Sequence, residues 1–190
     1  MKGKEEKFDL VSETERLIIR PLQEADYENW LNEFRKRYPS KHRHDQGRLD
    51  MSECTAEWFE NLVYKHQELA VKDIAYVFGV FRKSDGIHLG TVDLSTLARD
   101  NFCWGRIGYS IHNRYWRKGY GKEAVKEVLY IAFNQLKFHR IETHINVDNS
   151  ASIKLAESVG MEFEVIRKGF IFEFGEWTDN IIYYKNSTIS

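Results

Sequence analysis

The chain has 190 residues with 28 basic and 29 acidic side chains, a formal net charge of −1, so its charge gives no global reason to expect nucleic acid or an anionic membrane as the principal partner. One domain spanning residues 1–190 is expected, since a chain of this length can bury about 70% of its unfolded surface without disulfides or metals. No apolar run approaches the roughly 20 residues needed to span a bilayer, and the charged start MKGKEEKFDL carries no signal-type apolar region, so the protein is expected in the cytoplasm.

Residues 16–22, RLIIRPL, predict a short strand closed by Pro21. Glu24, Ala25 and Asp26 then open a helix whose apolar positions Tyr27, Trp30, Leu31 and Phe34 recur at helical spacing. The stretch RKRYPSKHRHDQGR (35–48) reads as a flexible basic loop, six Lys/Arg against Asp45 alone. Its His42 and His44 have no acidic or thiolate partner of the kind a metal site requires, so no metal is expected. Helical spacing returns over 54–70 through Trp58, Leu62 and Leu69.

Three strand-like runs follow, 74–81, 88–97 and 103–111, separated by the turn formers Ser84-Asp85-Gly86 and Asp100-Asn101; they predict an antiparallel meander. Cys54 and Cys103 are too few and too isolated for a disulfide framework or a zinc cluster. Between Phe102 and Trp104, Cys103 reads as a small buried hydrophobe.

From Gly119 the pattern is helical, with Val125, Val128, Leu129, Ala132, Phe133 and Leu136 on one face. It changes to alternation over 140–147, where Ile141, Thr143, Ile145 and Val147 share one side. Asn149 or Ser150 caps a second helix, 151–159, that ends at Gly160. Strands around 170–174 and 180–184 flank a turn at Gly175-Glu176-Trp177.

The segment Gly119-Tyr-Gly-Lys-Glu-Ala124 satisfies the dinucleotide fingerprint G-x-G-x-x-G/A, but its context does not. The residues before it, Asn113 to Lys118, are polar, charged or aromatic rather than a buried parallel strand, and a meander precedes them. Two readings remain, a phosphate site and a plain glycine turn with a solvated basic collar, and the residues favour the first. A helix opening at Gly119 points its unbonded N–H groups and positive dipole end at an anion, and glycines at 119 and 121 let a pyrophosphate approach the backbone. Arg114, Arg117, Lys118 and Lys122 surround it with positive charge.

The order of a strand, Trp116-Arg-Lys-Gly-Tyr-Gly121, a long helix, a strand, Asn149-x-x-Ser152, a helix and Gly160-Met161 resembles the GNAT superfamily of acetyl-CoA-dependent N-acetyltransferases over residues 14–185. The likeness is to the ribosomal-protein-alanine (RimJ/RimL-like) type, through Thr14-Glu-Arg-Leu-Ile-Ile-Arg-Pro21, the Trp-x-Lys-Gly-Tyr loop, Arg140-Ile-Glu142 and Phe174-Gly-Glu-Trp-Thr-Asp179. It implies a mixed, mostly antiparallel sheet of about seven strands flanked by about four helices and splayed between the fourth and fifth strands. Two positions depart from the family pattern. Trp116 replaces Gln or Arg at the start of the loop, and Ala156 stands where many relatives carry a tyrosine that protonates the departing thiolate.

The resemblance further implies acetyl-CoA as cosubstrate, with its pyrophosphate on Trp116, Arg117, Lys118, Gly119, Tyr120, Gly121 and Lys122. Pantetheine would lie along the backbone of Ser110, Ile111 and His112, where an N–H polarises the thioester carbonyl, and the Asn149 side chain would bond the pantetheine amide. Candidate bases are Asp93 and His112, acting through water; the candidate acid is Ser152; Glu142 reads as an ion-pair partner. His112 is otherwise expected at the surface. At pH 7, deprotonating a lysine-like amine costs roughly 4.6 kcal/mol and an α-amine only about 1.4, so a peptide N-terminus asks least of such a base. Small amines such as polyamines or antibiotics, and a non-catalytic CoA-binding regulatory role, are the alternatives. Ribosome docking through the basic loop and a homodimer remain open; a membrane or a specific nucleic acid has no part.

Overall fold

A computed structural model of the chain describes residues 7–188; the first six residues of the charged start and the last two lie outside it. The strands are β1 (Ser12–Glu13), β2 (Leu17–Arg20), β3 (Ala75–Arg82), β4 (His88–Ala98), β5 (Trp104–Ile111), β6 (Arg140–Asn146), β7 (Glu162–Glu173) and β8 (Glu176–Asn186). The helices are α1 (Tyr27–Arg35), α2 (Ala56–Val71), α3 (Tyr120–Asn134) and α4 (Ser150–Ser158). The fold is the expected mixed α/β arrangement: among the described residues, four helices and one sheet in the order β1-β2-β3-β4-β5-β6-β8-β7. The extra strand is β1, a two-residue edge paired antiparallel to β2. β5 and β6 pair in parallel, over Trp104–Arg106 and Arg140–Glu142 at the start of both strands.

The chain divides into two compact units, one comprising the residues up to Asp93 with Tyr109–Ala124, the other Leu94–Gly108 with the residues from Val125 onward. In the first, Leu22, Trp30, Leu31, Met51, Phe59, Val63 and Phe81 form a buried cluster, with the Trp30 ring 4.9 Å from that of Phe59. The helical spacing of α1 and α2 is thereby explained. Thr55 opens α2 by accepting a hydrogen bond from the Trp58 amide.

In the second unit the buried face of α3 is Val125, Val128, Leu129, Ile131 and Ala132. Gly105 sits under Phe138, whose ring would lie 2.9 Å from a Cβ at that position. Ile141, Thr143 and Ile145 are buried as their alternation requires, but Val147 lies beyond the end of β6 and is 45% exposed. Glu142 on the opposite face is buried too, because Arg140 and His144 bond both of its oxygens.

The C-terminal hairpin is longer than its apolar runs suggest. β7 begins at Glu162 and β8 at Glu176, so the turn is Phe174-Gly175, both at positive φ, and Glu176 and Trp177 already belong to the strand. β7 is exposed along most of its length, which conceals the usual alternation. Cys103 is half-exposed at φ 43°, a turn residue rather than core.

Candidate functional site: the glycine loop and the strand that leads into it

β5 ends at Ile111, a 3-10 turn over Asn113–Tyr115 follows, and α3 starts at Tyr120. Between them Arg117 (φ 61°) and Gly119 (φ 82°) take left-handed conformations. They bend the chain so that the first amides of α3, which have no acceptor within the helix, face outward at its positive end. The conformation is held by Thr14 and Arg16. Arg16 pairs with Glu123 in the first turn of α3 at 2.6 Å, donates to the Lys118 carbonyl at 2.9 Å, and lies over the Tyr120 ring. Thr14 donates its hydroxyl to the same carboxylate. Burial disfavours the charge on Glu123, but these hydrogen bonds and the Arg16 charge outweigh it and hold the carboxyl below its usual range. Sequence reasoning assigned Thr14 and Arg16 no role, although both stand in the Thr14-Glu-Arg signature.

Trp116 takes up its own task in the loop. Its indole Nε1 donates to the Ile111 carbonyl at 2.6 Å, tying the loop back to the end of β5. The neighbouring strand β4 holds Ser110 and His112: the His112 amide donates to the Leu89 carbonyl at 2.8 Å, and the Ser110 carbonyl is directed at Gly90. Backbone groups alternate sides along a strand. Of the three residues expected to hold pantetheine, only Ile111 turns its N–H away from β4.

The basic loop is built around its one acid and packs against this site. Asp45, buried at its centre, accepts from the backbone of Lys41 and Gly47 and from Asn113 Nδ2 at 3.1 Å. Arg37 is buried 3.8 Å from it. Burial opposes ionisation of Asp45, yet these bonds and the Arg37 charge keep its carboxyl below the ordinary range. The loop consequently folds onto Trp116, with the His42 ring stacked 5.5 Å away and Lys41 Nζ 5.7 Å over the indole. Cations from two separate stretches of sequence therefore meet at one loop.

His112 is buried rather than at the surface. Its Nε2 lies 3.2 Å from His88 Nδ1, and Phe34 packs edge-on against its ring. Burial, then His88, Arg37 and Arg114, push its pKa down to about 3; burial likewise pushes His88 to about 4, against the pull of Asp26 and Glu33. Both rings are neutral at pH 7, and His112 is a weak base. Because both folded pKa values lie below the unfolded value near 6.5, the stability of the neutral pair is complete above that pH and is lost as pH falls toward 4. Between pH 7 and 5 about 3–4 kcal/mol should disappear. Urea midpoints at the two pH values test this, and His112→Phe should show about half the dependence; equal midpoints in the wild type would contradict it.

The remaining candidates lie elsewhere. Asp93 is half-buried on β4 between the buried Val92 and Leu94. In the second unit Asn149 is the N-cap of α4, its side chain accepting from the Ser152 amide at 3.3 Å, and Ala156 is fully buried. Glu142 is the ion-pair partner expected, to Arg140 at 2.9 Å. No cluster of three or more His, Cys, Asp or Glu that could hold a metal occurs among the described residues, and none of their helices is long and apolar enough to cross a membrane.

Residues 16–162 match the acetyltransferase (GNAT) domain family. The chain is 31% identical to the probable N-acetyltransferase YjcK of Bacillus subtilis over 86% of its length and 90% of that protein. It is 24% identical to the [ribosomal protein uS5]-alanine N-acetyltransferase of Escherichia coli, covering 89% and 87%. The crystal structure of the ribosomal-protein-S5-alanine acetyltransferase from Vibrio fischeri superposes with a TM-score of 0.77 over 95% of this chain and 98% of that one at 24% identity, a likeness of fold. The chain belongs to the GNAT acetyltransferase family and is an N-acetyltransferase; enzymes of this family use acetyl-CoA.

Proposed function

We propose that this N-acetyltransferase binds the acetyl-CoA pyrophosphate on Trp116–Lys122 and transfers the acetyl group directly to a primary amine, preferentially the α-amine of a peptide or protein N-terminus. The observation that carries the reading is the glycine loop itself: two left-handed residues, an open helix start and an Arg16–Glu123 clamp, with Lys41 of the basic loop held beside Trp116. The Ile111 N–H is the donor best turned for a thioester carbonyl. Asn149 and Ser152 keep the roles that the family resemblance implies, amide partner and acid; Asp93 is the better of the two bases first considered, since His112 is committed to its buried pair.

Six basic side chains against one acid over residues 35–48 favour an acceptor with acidic residues near its N-terminus and disfavour polycations. The relative named as a [ribosomal protein uS5]-alanine N-acetyltransferase supports a protein α-amine in the same direction. In an acceptor panel of acidic, neutral and basic N-terminal peptides, spermidine and an aminoglycoside, release of free CoA should be fastest with acidic peptides. The preference should weaken in high salt. Efficient spermidine turnover, or peptide rates indifferent to charge and salt, would overturn the assignment.

A further inference from the structure

A cavity of about 470 Å³ opens within the second unit, its wall including Phe102 and Trp104 at the start of β5, Arg140 and Glu142 of β6, and Glu164 and Arg167 of β7. That volume falls within the range of small-molecule sites. No residue proposed above for acetyl-CoA or its chemistry lines it. β7 is shaped to bring its two charges here. Residues three apart on a regular strand face opposite sides of the sheet, so Glu164 and Arg167 would not share one cavity. The strand is bulged between them: Phe163 pairs with Tyr183 and Val165 with Ile182, which leaves Glu164 as an extra residue, and a second irregularity begins at Arg167. The bulge shifts the alternation by one. Arg167 then pairs with Asn180, on the face of β8 that Tyr184 and Asn186 present beside Glu142 and Arg140.

Much of the charge in this wall is already matched. Arg140 donates to Glu142 at 2.9 Å and to Glu164 at 2.6 Å, and His144 Nε2 lies 3.1 Å from the other oxygen of Glu142. Three groups are left over. One oxygen of Glu164 has no donor among the described residues. The Arg167 guanidinium bonds no carboxylate among them and lies over the Phe170 ring at 4.9 Å. The Trp104 indole Nε1 is buried without an acceptor, a cost that folded proteins seldom leave unanswered. Glu164 pairs with Arg140 and not with Arg167, so two opposite charges share the cavity without neutralising each other. Such an arrangement complements a ligand that carries both signs. Phe102, 65% exposed, adds an apolar surface for the rest of it.

We propose that this cavity binds a small zwitterion, a free α-amino acid with an apolar or aromatic side chain, at a site separate from acetyl transfer. The ligand's carboxylate accepts from Arg167, its ammonium donates to Glu164, and its side chain covers Phe102. Arg140 and Arg167 balance Glu142 and Glu164, so a dianion or a polycation would bring charge that the wall does not compensate. The binding is non-covalent and does not depend on which amine the chain acetylates.

Isothermal titration of the full chain, without acetyl-CoA, compares L-leucine and L-phenylalanine with N-acetyl-L-leucine, which lacks the ammonium, and L-leucinamide, which lacks the carboxylate. Both amino acids should bind, and each derivative should bind about 10-fold more weakly or worse, the loss expected for one charged hydrogen bond. Arg167→Gln and Glu164→Gln should each weaken L-leucine binding by a similar factor. Arg167→Gln should keep the wild-type rate of CoA release to a peptide, which shows that it folds. In the wild type, the Trp104 indole N–H resonance, assigned by its loss in Trp104→Phe, should move on adding L-leucine, a readout that does not depend on a binding variant. Absence of both heat and resonance shift overturns the site, and so does equal binding of the amide or the acetyl derivative. L-leucine binding that is unchanged in both charge variants also overturns it, and places the amino acid elsewhere on the chain, while acetyl transfer stands in every case.

Discussion

Gly90→Ala should lower stability by about 3–5 kcal/mol, a large share of what a domain of this size has. A Cβ on Gly90 would collide with the Ser110 carbonyl oxygen and lie 2.8 Å from Ile111 Cα, backbone atoms that cannot turn aside as a side chain could. The φ of +150° adds strain for any other residue. The collision falls where β4 holds the end of β5, so relief must come from moving Ser110 and Ile111, the backbone proposed to meet the thioester. Acetyl transfer should therefore decline in the fraction that stays folded. Thermal unfolding gives the size, with the melting temperature expected to fall by roughly 10 °C. Gly86→Ala is the control: its φ is +72° but nothing lies within 4 Å of the added atom, so it should cost only about 1 kcal/mol of backbone strain. Equal losses in the two variants would show that left-handed strain, rather than the close approach to Ser110, determines the cost.

Gly90 was legible only as one glycine in a strand pattern, and the same holds for other features set by tertiary contact. The meander, the helical periods of α1 to α3 and the helix-opening glycine could be read directly, because each rests on local periodicity or a local φ requirement. Asp45 could not: a lone acid among six bases reads as a solvated charge until Asn113, far along the chain, is seen to donate to it. His112 reads from the sequence as a surface residue, whereas the structure packs it against Phe34 and His88. The full length of β7 does not show in its sequence, because the exposed Phe163, Val165, Ile166 and Phe172 along it erase the polar–apolar alternation.

Gly119→Glu should abolish the stabilisation that acetyl-CoA confers on the wild type. A ligand at 100 times its Kd adds about 2.7 kcal/mol to a protein that binds it only when folded, and the variant should retain almost none of this for three reasons that act together. The φ of +82° is unfavourable for a residue with a Cβ. That Cβ would stand 3.1 Å from Arg16 Nη2, loosening the guanidinium that also holds Glu123 and the Lys118 carbonyl. The new carboxylate would point into the space proposed for the pyrophosphate and repel it, while neutralising Lys118, Lys122 or Lys41. Gly119→Ala separates these contributions: it carries the strain and the Arg16 contact without the charge, and should keep part of the ligand gain. Pantetheine, which lacks the pyrophosphate, should be nearly indifferent to the added charge. The ligand-free variant should unfold within about 3 kcal/mol of the wild type, the upper end of what one strained residue costs. A full acetyl-CoA gain in Gly119→Glu would move the phosphate away from this helix start, whatever the chain acetylates.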